Sequence, residues 1–269
     1  MLNIPEYKEY GGETKIALMD NSSLAFMHEL SQRSYPSDGI LSVYDLILIP
    51  KWVMEEIEDS TYRSTYVEQL QAQGYPIRWI DETKYGTFVN DEDVNLYYIV
   101  EAAVSRVSEL MRFLRREVKT EDLIDLPSAE EWMNRLYDEW PIHGRTLSTG
   151  RALKKNAGEI SLTILAEIFA WYHDGVDSLT IYTQDTDAGF FVIWSTGYKI
   201  RFPNRTRLLS ALLPSGSEFP VRFHCSPRAD GEFRNLRLKS SASNYLPANH
   251  QSIRQEHWQY QPVHQDLGV

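Results

Sequence analysis

Short apolar runs alternate with helical patterns from residue 14 to residue 203 of this chain, and this alternation restricts the fold more than any other feature. The clearest strand-like runs are Lys15–Met19, Tyr44–Ile49, Ile77–Ile80 and Leu179–Thr183. Strands separated by helices predict a three-layer α/β fold, with a mainly parallel central sheet flanked by helices. Right-handed crossovers would bring the carboxyl ends of these strands to one edge of the sheet.

The alternation divides the chain into two predicted regions. We expect one domain over residues 14–203, with helices at 51–70 and 153–172 and an enlarged helical region at 90–150. Residues 1–13 are polar and predict a loose leader. Residues 204–269 predict a basic extension that ends in a polar tail, because the last thirty residues are rich in Ser, Asn, Gln and His.

Charge is distributed unevenly along the chain, whose net charge is −11. Residues 199–269 carry 10 Lys and Arg against 5 Asp and Glu, whereas residues 1–198 carry 17 against 33. Such asymmetry indicates a surface that binds a polyanion. A solvated basic face that balances an acidic body is the alternative interpretation.

The cysteine content, the hydropathy and the absence of nucleotide-binding motifs limit the cellular compartment and the reactions that we expect. Cys225 is the only cysteine, which excludes a disulfide framework and a Cys-rich zinc site and favours the reducing cytoplasm. No apolar run is long enough to span a bilayer and no secretory signal is visible, so we expect no membrane association. Neither a Walker pattern nor a dinucleotide fingerprint occurs in the sequence, and we expect neither ATP hydrolysis nor NAD chemistry.

Acidic residues recur where strand-like runs meet helical patterns. They are Asp20, Glu55, Glu56, Glu159, Asp185 and Asp187. Each has an ordinary explanation as a helix cap, a charge near a helix N-terminus or a turn former. Together, at one edge of a sheet and without His or Cys partners, carboxylates suit a hard divalent cation such as Mg²⁺ or Mn²⁺.

Four short motifs around these acids resemble those of the PIN-domain nucleases. The motifs are Ile16-Ala17-Leu18-Met19-Asp20-Asn21-Ser22, Pro50-x-x-Val53-x-x-Glu56-Ile57, Gly158-Glu159 and Thr183-x-Asp185-x-Asp187. The second motif selects Glu56 over Glu55. The chain departs from small members of the family in the long separation of Glu56 from Glu159, which lies 103 positions later, and in its basic extension.

The resemblance implies metal-dependent hydrolysis of phosphodiester bonds, usually of RNA. The implied catalytic acids are Asp20, Glu56, Glu159 and Asp185. They would hold one or two Mg²⁺ or Mn²⁺ ions, which position and deprotonate a water molecule. Asp187 would assist the second metal and Glu55 would be auxiliary. Ser22 or Thr183 would hydrogen-bond a ligand carboxylate or a water molecule.

Basic residues upstream of Glu159 and after the sheet are candidates for contact with an RNA backbone. They are Arg145, Arg151, Lys154, Lys155, Arg201, Arg205 and Arg207. A solvated helix surface is the alternative for the upstream group. Three functions are open at this point. The first is a ribonuclease, which could act as a toxin or defence effector. The others are a catalytically silent PIN-like module that binds nucleic acid and a structure-specific DNA nuclease, with single-stranded DNA as the alternative partner to RNA. An inhibitory protein partner and a homodimer are further expectations.

Overall fold

The computed structural model of the chain describes residues 2–32, 38–90, 93–118, 126–183, 200–201, 218–223 and 234–239. The strands are β1 (Lys15–Met19), β2 (Leu46–Pro50), β3 (Ile77–Ile80), β4 (His143–Thr146), β5 (Ala152–Lys154), β6 (Ser178–Tyr182), β7 (Ile200–Arg201), β8 (Glu218–Phe223) and β9 (Arg234–Lys239). The α-helices are α1 (Asn21–Gln32), α2 (Asp38–Leu41), α3 (Lys51–Glu58), α4 (Thr61–Ala72), α5 (Asp93–Ala103), α6 (Ser108–Phe113), α7 (Ala129–Asp138) and α8 (Ala157–Tyr172). A 3-10 helix spans Glu82–Phe88, and a π-helical turn spans Leu114–Val118.

The central sheet contains five parallel strands in the order β3-β2-β1-β6-β7. Helix α8 packs against β1, β2 and β6, while α3 and α4 pack against β3. These helices flank the sheet in a three-layer α/β arrangement, so the predicted fold class is confirmed.

Burial explains why the strands are almost entirely apolar. The Leu46–Pro50 and Ser178–Tyr182 strands are buried at every position, and β1 is buried at every position after Lys15. A strand of a parallel sheet that is covered by helices on both faces has no solvated side, and therefore reads as a continuous apolar run. This burial makes the strand ends rigid supports for the residues that follow them.

The strand order reverses between β1 and β6. The chain passes from β1 outward to β2 and β3, and later returns to the other side of β1 as β6. The two strand ends are joined at that point, because the Asp20 N–H donates to the Tyr182 carbonyl at 2.9 Å. In open α/β sheets the crevice outside the carboxyl ends at such a switch point is the usual ligand position.

The N-terminal segment differs from the loose leader that the sequence predicts. Leu2, Ile4 and Tyr7 are all buried. The Tyr7 N–H donates to the Trp79 carbonyl at 2.7 Å, and the Trp79 N–H donates to the Pro5 carbonyl at 3.1 Å. The expectation was wrong because three apolar side chains, separated by polar ones, anchor the segment along β3.

Several helix boundaries also differ from the predictions. The helix expected at 51–70 is interrupted, since Ser60 is extended at φ −131° and its N–H bonds to the Ile57 carbonyl at 3.0 Å. The helix expected from residue 153 begins at Ala157, because Ala152–Lys154 pairs with His143–Thr146 as an antiparallel hairpin. The predicted helical region at 90–150 therefore carries α5, α6 and α7 but ends in a strand.

The chain divides into two compact units. The first comprises Met1–His28 and Tyr44–Phe202 and contains the parallel sheet. The second comprises Glu29–Val43 and Pro203–Val269 and contains the antiparallel β8–β9 hairpin. Within the described residues, no helix is both long enough and apolar enough to cross a membrane.

Candidate functional site

Asp20 lies directly after β1 at the switch point and is 4% exposed. Its Oδ1 accepts the Asn21 N–H at 2.7 Å. Its Oδ2 accepts the Ser22 hydroxyl at 2.6 Å and the Thr183 hydroxyl at 3.0 Å. Ser22 and Thr183 are thus placed beside Asp20, as expected for auxiliary residues. Because Thr183 follows β6, this bond joins the two strand ends and fixes the orientation of the carboxylate.

Glu56, in the second turn of α3, faces the same place. Its Oε2 accepts the Asn21 side-chain amide at 3.2 Å, so Asn21 links the two acids. A β-carbon on Gly158 would lie 3.8 Å from Glu56 Oε1 and 3.9 Å from Asp20 Oδ1. The carboxylates of Asp20 and Glu56 therefore converge on one small space above Gly158.

Gly158 is the residue that keeps this space open. A β-carbon there would also lie 3.1 Å from Val53 Cγ2, which is closer than an ordinary contact. Any larger residue would crowd α3 and fill the space between the two acids. Glu159 follows Gly158 in the first turn of α8 and is partly buried.

The described part of the site is a pair of acids and not a complete ligand set. Among the described residues, no three His, Cys, Asp or Glu side chains lie close enough together to hold a metal ion. Asp185 and Asp187 lie outside the described residues. The predicted assembly of Glu159, Asp185 and Asp187 with the Asp20–Glu56 pair therefore stays a prediction.

Glu55 belongs to a different cluster. Its Oε2 accepts the Tyr137 hydroxyl at 2.5 Å and forms an ion pair with Arg151. Successive helical residues point about 100° apart, so adjacent glutamates on α3 serve different neighbours. This geometry favours Glu56 over Glu55 as the acid of the second motif.

Of the predicted RNA-contacting residues, three already contact protein groups on or near α3. Arg145 lies 3.7 Å from Asp59 Oδ2, and Arg151 pairs with Glu55. Lys154 Nζ lies 3.5 Å from the centroid of the Tyr137 ring and donates to the Tyr137 carbonyl, while burial lowers the pKa of Lys154.

The structure describes less of the other residues that were predicted to contact RNA. Lys155 is exposed at the end of the β4–β5 hairpin. The structure describes only the backbone of Arg201, and Arg205 and Arg207 lie outside the described residues.

Asn21 was not predicted as part of the site. It is 8% exposed, and its Oδ1 is buried with no hydrogen-bond partner in the described part of the chain. Its amide nitrogen is engaged by Glu56, so the unpaired oxygen lies beside the acid pair. Adjacency to Asp20 was the only signal in the sequence, and an Asn after an Asp is more often a turn or cap residue.

No protein-family model matches the sequence, and no curated protein matches it. The resemblance to the PIN-domain nucleases therefore depends on the four motifs alone.

Proposed function

We propose that this chain is a divalent-metal-dependent endoribonuclease whose active site lies at the carboxyl edge of the parallel sheet. One observation carries the proposal: the carboxylates of Asp20 and Glu56, from separate segments of the chain, converge above Gly158 at the switch point of the sheet. Two acids held this close without a cation between them would repel each other. A divalent cation bound between them would remove this repulsion, and one or two carboxylates are commonly the protein ligands of Mg²⁺.

The donor atoms suit Mg²⁺ or Mn²⁺. Mg²⁺ keeps several water ligands and is commonly held by one or two carboxylates. Asp20 and Glu56 supply two carboxylates, and Asn21 Oδ1 is a buried oxygen that has no partner among the described residues. Glu159, Asp185 and Asp187 are the further ligands that the motifs suggest. We propose these five acids, with Asn21 beside them, as the metal-binding group.

Hydrogen bonds hold the Asp20 and Glu56 side chains in place. Ser22 and Thr183 both donate to Oδ2 of Asp20, and the Asn21 side-chain amide donates to Glu56. Preorganised carboxylates lose little freedom when a ligand arrives. A bound divalent cation would supply a reactive water molecule at neutral pH and offset charge on the scissile phosphate.

The β4–β5 hairpin supports a nucleic-acid substrate. Residues 143–155 contain two Arg, two Lys and one His but no acidic residue, in a chain whose net charge is −11. Every position of β4 is exposed. The hairpin leads directly into α8, which carries Gly158 and Glu159, so its basic groups lie close along the chain to the site. Basic side chains near a site can bind the phosphates of a nucleic-acid backbone without reading its sequence. Arg145, Arg151 and Lys154 would exchange their present protein contacts for such phosphates. The cytoplasmic location, an inhibitory partner and a homodimer stay predictions.

Cleavage by substituted proteins tests the proposal. The wild type should cut single-stranded RNA in the presence of Mn²⁺. Asp20→Asn and Glu56→Gln should each lose at least about 100-fold in rate, which corresponds to about 3 kcal/mol of transition-state stabilisation. The matched control is Glu58→Gln on the same helix, whose carboxylate accepts the Leu2 N–H at 2.7 Å; it should cut normally.

Three results would redirect the proposal. Undiminished cleavage by both acid variants would refute the assigned site. Preferential cleavage of single-stranded DNA would make the protein a DNA nuclease. RNA binding without cleavage, at any Mn²⁺ concentration, would favour the catalytically silent module.

A further inference from the structure

Glu82, the first residue of the 3-10 helix, has a fully buried carboxyl group. Its Oε1 accepts the Trp52 N–H at 2.9 Å and the Ser161 hydroxyl at 2.8 Å. The Tyr85 hydroxyl lies 2.7 Å from the same Ser161 oxygen. Glu82 Oε2 is buried and has no hydrogen-bond partner among the described residues. A single carboxyl oxygen therefore joins two helices that are distant in sequence.

The first of these helices is α3, which bears Glu56. Its N-cap residue, Pro50, makes no side-chain hydrogen bond to the helix. The Trp52 N–H is one of the first-turn donors that a helix leaves without an internal partner, and Glu82 satisfies it. The neighbouring Asp81 accepts from Lys51 at 2.7 Å. Residues 81 and 82 thus fix the start of α3 from outside the helix.

The second helix is α8, which bears Gly158 and Glu159. Ser161 follows Gly158 by three residues, and Trp52 precedes Glu56 by four. Residues three or four apart lie on the same side of a helix. Trp52 is therefore about one helical turn, roughly 5.4 Å along the axis, from Glu56, and Ser161 is about one turn from Gly158.

The burial of Glu82 is costly in part. One oxygen of its carboxyl group is buried without a hydrogen-bond partner among the described residues. Burial raises the pKa of Glu82 to about 8, although the bonds from Trp52 and Ser161 oppose the shift. Glu82 joins the start of α3 to α8, the two helices that carry Glu56 and Gly158.

We propose that Glu82 is a positioning residue that sets α3 against α8, so that Glu56 is held beside Asp20 above Gly158. The proposal rests on the metal site proposed above and extends it to a group that touches neither metal nor substrate. Without the link, α3 and α8 still pack through their apolar faces, but the spacing of the acids is no longer fixed. The loss should appear in metal affinity as well as in stability.

The experiment compares Glu82→Gln, Glu82→Met and Ser161→Ala in the full chain. Mn²⁺ affinity is measured by calorimetry well below the melting temperature, which is measured separately. Gln keeps an oxygen acceptor for Trp52 and Ser161, so its Mn²⁺ affinity should stay close to the wild-type value. Met removes the acceptor; its Mn²⁺ affinity should fall about 10–100-fold, as for other groups that orient metal ligands. Its melting temperature should also fall, because the Trp52 N–H is left buried without an acceptor.

The outcomes separate this inference from the proposed function. If the wild type binds no Mn²⁺, the metal site itself fails. If the wild type binds Mn²⁺ and folded Glu82→Met binds it equally well, only the positioning role is overturned. If Glu82→Met does not fold, Ser161→Ala decides, since it removes one end of the link: weaker Mn²⁺ binding supports the role and unchanged binding overturns it.

Discussion

Replacing Gly158 by Ala tests the space between the two acids. The added methyl group would lie 3.1 Å from Val53 Cγ2, and Val53 is fully buried and has little freedom to move. Crowding of this kind costs about 1–3 kcal/mol. The gain in helix propensity from Gly to Ala offsets at most about 1 kcal/mol. We therefore expect the free energy of unfolding to fall by about 0–3 kcal/mol.

The effect on metal binding should be larger. The same methyl group would lie 3.8 Å from Glu56 Oε1 and 3.9 Å from Asp20 Oδ1, in the space that both carboxylates face. A cation held by these oxygens sits about 2.0–2.6 Å from them together with its water ligands, and the methyl group would occupy part of that volume. Mn²⁺ affinity should fall at least about tenfold, or about 1.4 kcal/mol.

Calorimetry with Mn²⁺ and urea unfolding measure the two effects. Gly86→Ala is the matched control, because its β-carbon would lie 3.1 Å from Ala129 Cβ, an equal crowding in another part of the core. It should lose stability without losing Mn²⁺ affinity. Unchanged Mn²⁺ affinity in Gly158→Ala, or an equal loss in Gly86→Ala, would refute the placement of the site.

Three further substitutions probe neighbouring groups. Thr183→Val removes a hydroxyl that donates to Asp20; it should lower the free energy of unfolding by about 1–3 kcal/mol in urea titrations and weaken Mn²⁺ binding. Burial raises the pKa of Glu82 from 4.5 to about 8. The folded state then holds this proton more tightly than the unfolded state, so stability falls as pH rises from about 4.5 to 8, and Glu82→Gln should remove that part of the slope in urea titrations across this range. Glu55→Gln should keep RNA cleavage, because Glu55 contacts Tyr137 and Arg151 and not the acid pair.

Each of these expectations has a contrary outcome. Mn²⁺ affinity that is unaffected by Thr183→Val would show that orientation of Asp20 is unimportant. If the pH dependence of stability is identical in Glu82→Gln and the wild type, a group other than Glu82 causes the fall in stability. If Glu55→Gln loses cleavage at normal stability, Glu55 belongs to the active site.

The sheet could be predicted from the sequence because its strands are local signals. Strands β1 and β3 have the predicted bounds, and Pro50 marks the start of α3. The hairpin before α8 could not be predicted, since Ala-Leu-Lys suits a helix and becomes a strand only by pairing with residues 143–146. The packed N-terminal segment depends on contacts with β3 that no local pattern reveals.

The candidate site was likewise predictable only in part. Positions at the ends of parallel strands predicted that Asp20 would lie at the sheet edge, and the structure brings Glu56 and Thr183 to it. The unpaired oxygen of Asn21 and the link through Glu82 arise from segments that meet only in the folded chain. Asn21 lies within the first motif, but the motif does not mark its side-chain oxygen, and Glu82 lies in no motif, so neither feature could be found without the structure.

Binding of Mn²⁺ to the intact chain tests the central claim most directly. Electron paramagnetic resonance counts free Mn²⁺ and therefore measures binding without any assumption about substrate. The wild type and Glu58→Gln should bind Mn²⁺, whereas Asp20→Asn and Glu56→Gln should each bind it at least about tenfold more weakly, equivalent to about 1.4 kcal/mol. A wild type that binds no Mn²⁺, or acid variants that bind it as tightly as the wild type, would contradict a metal site above Gly158.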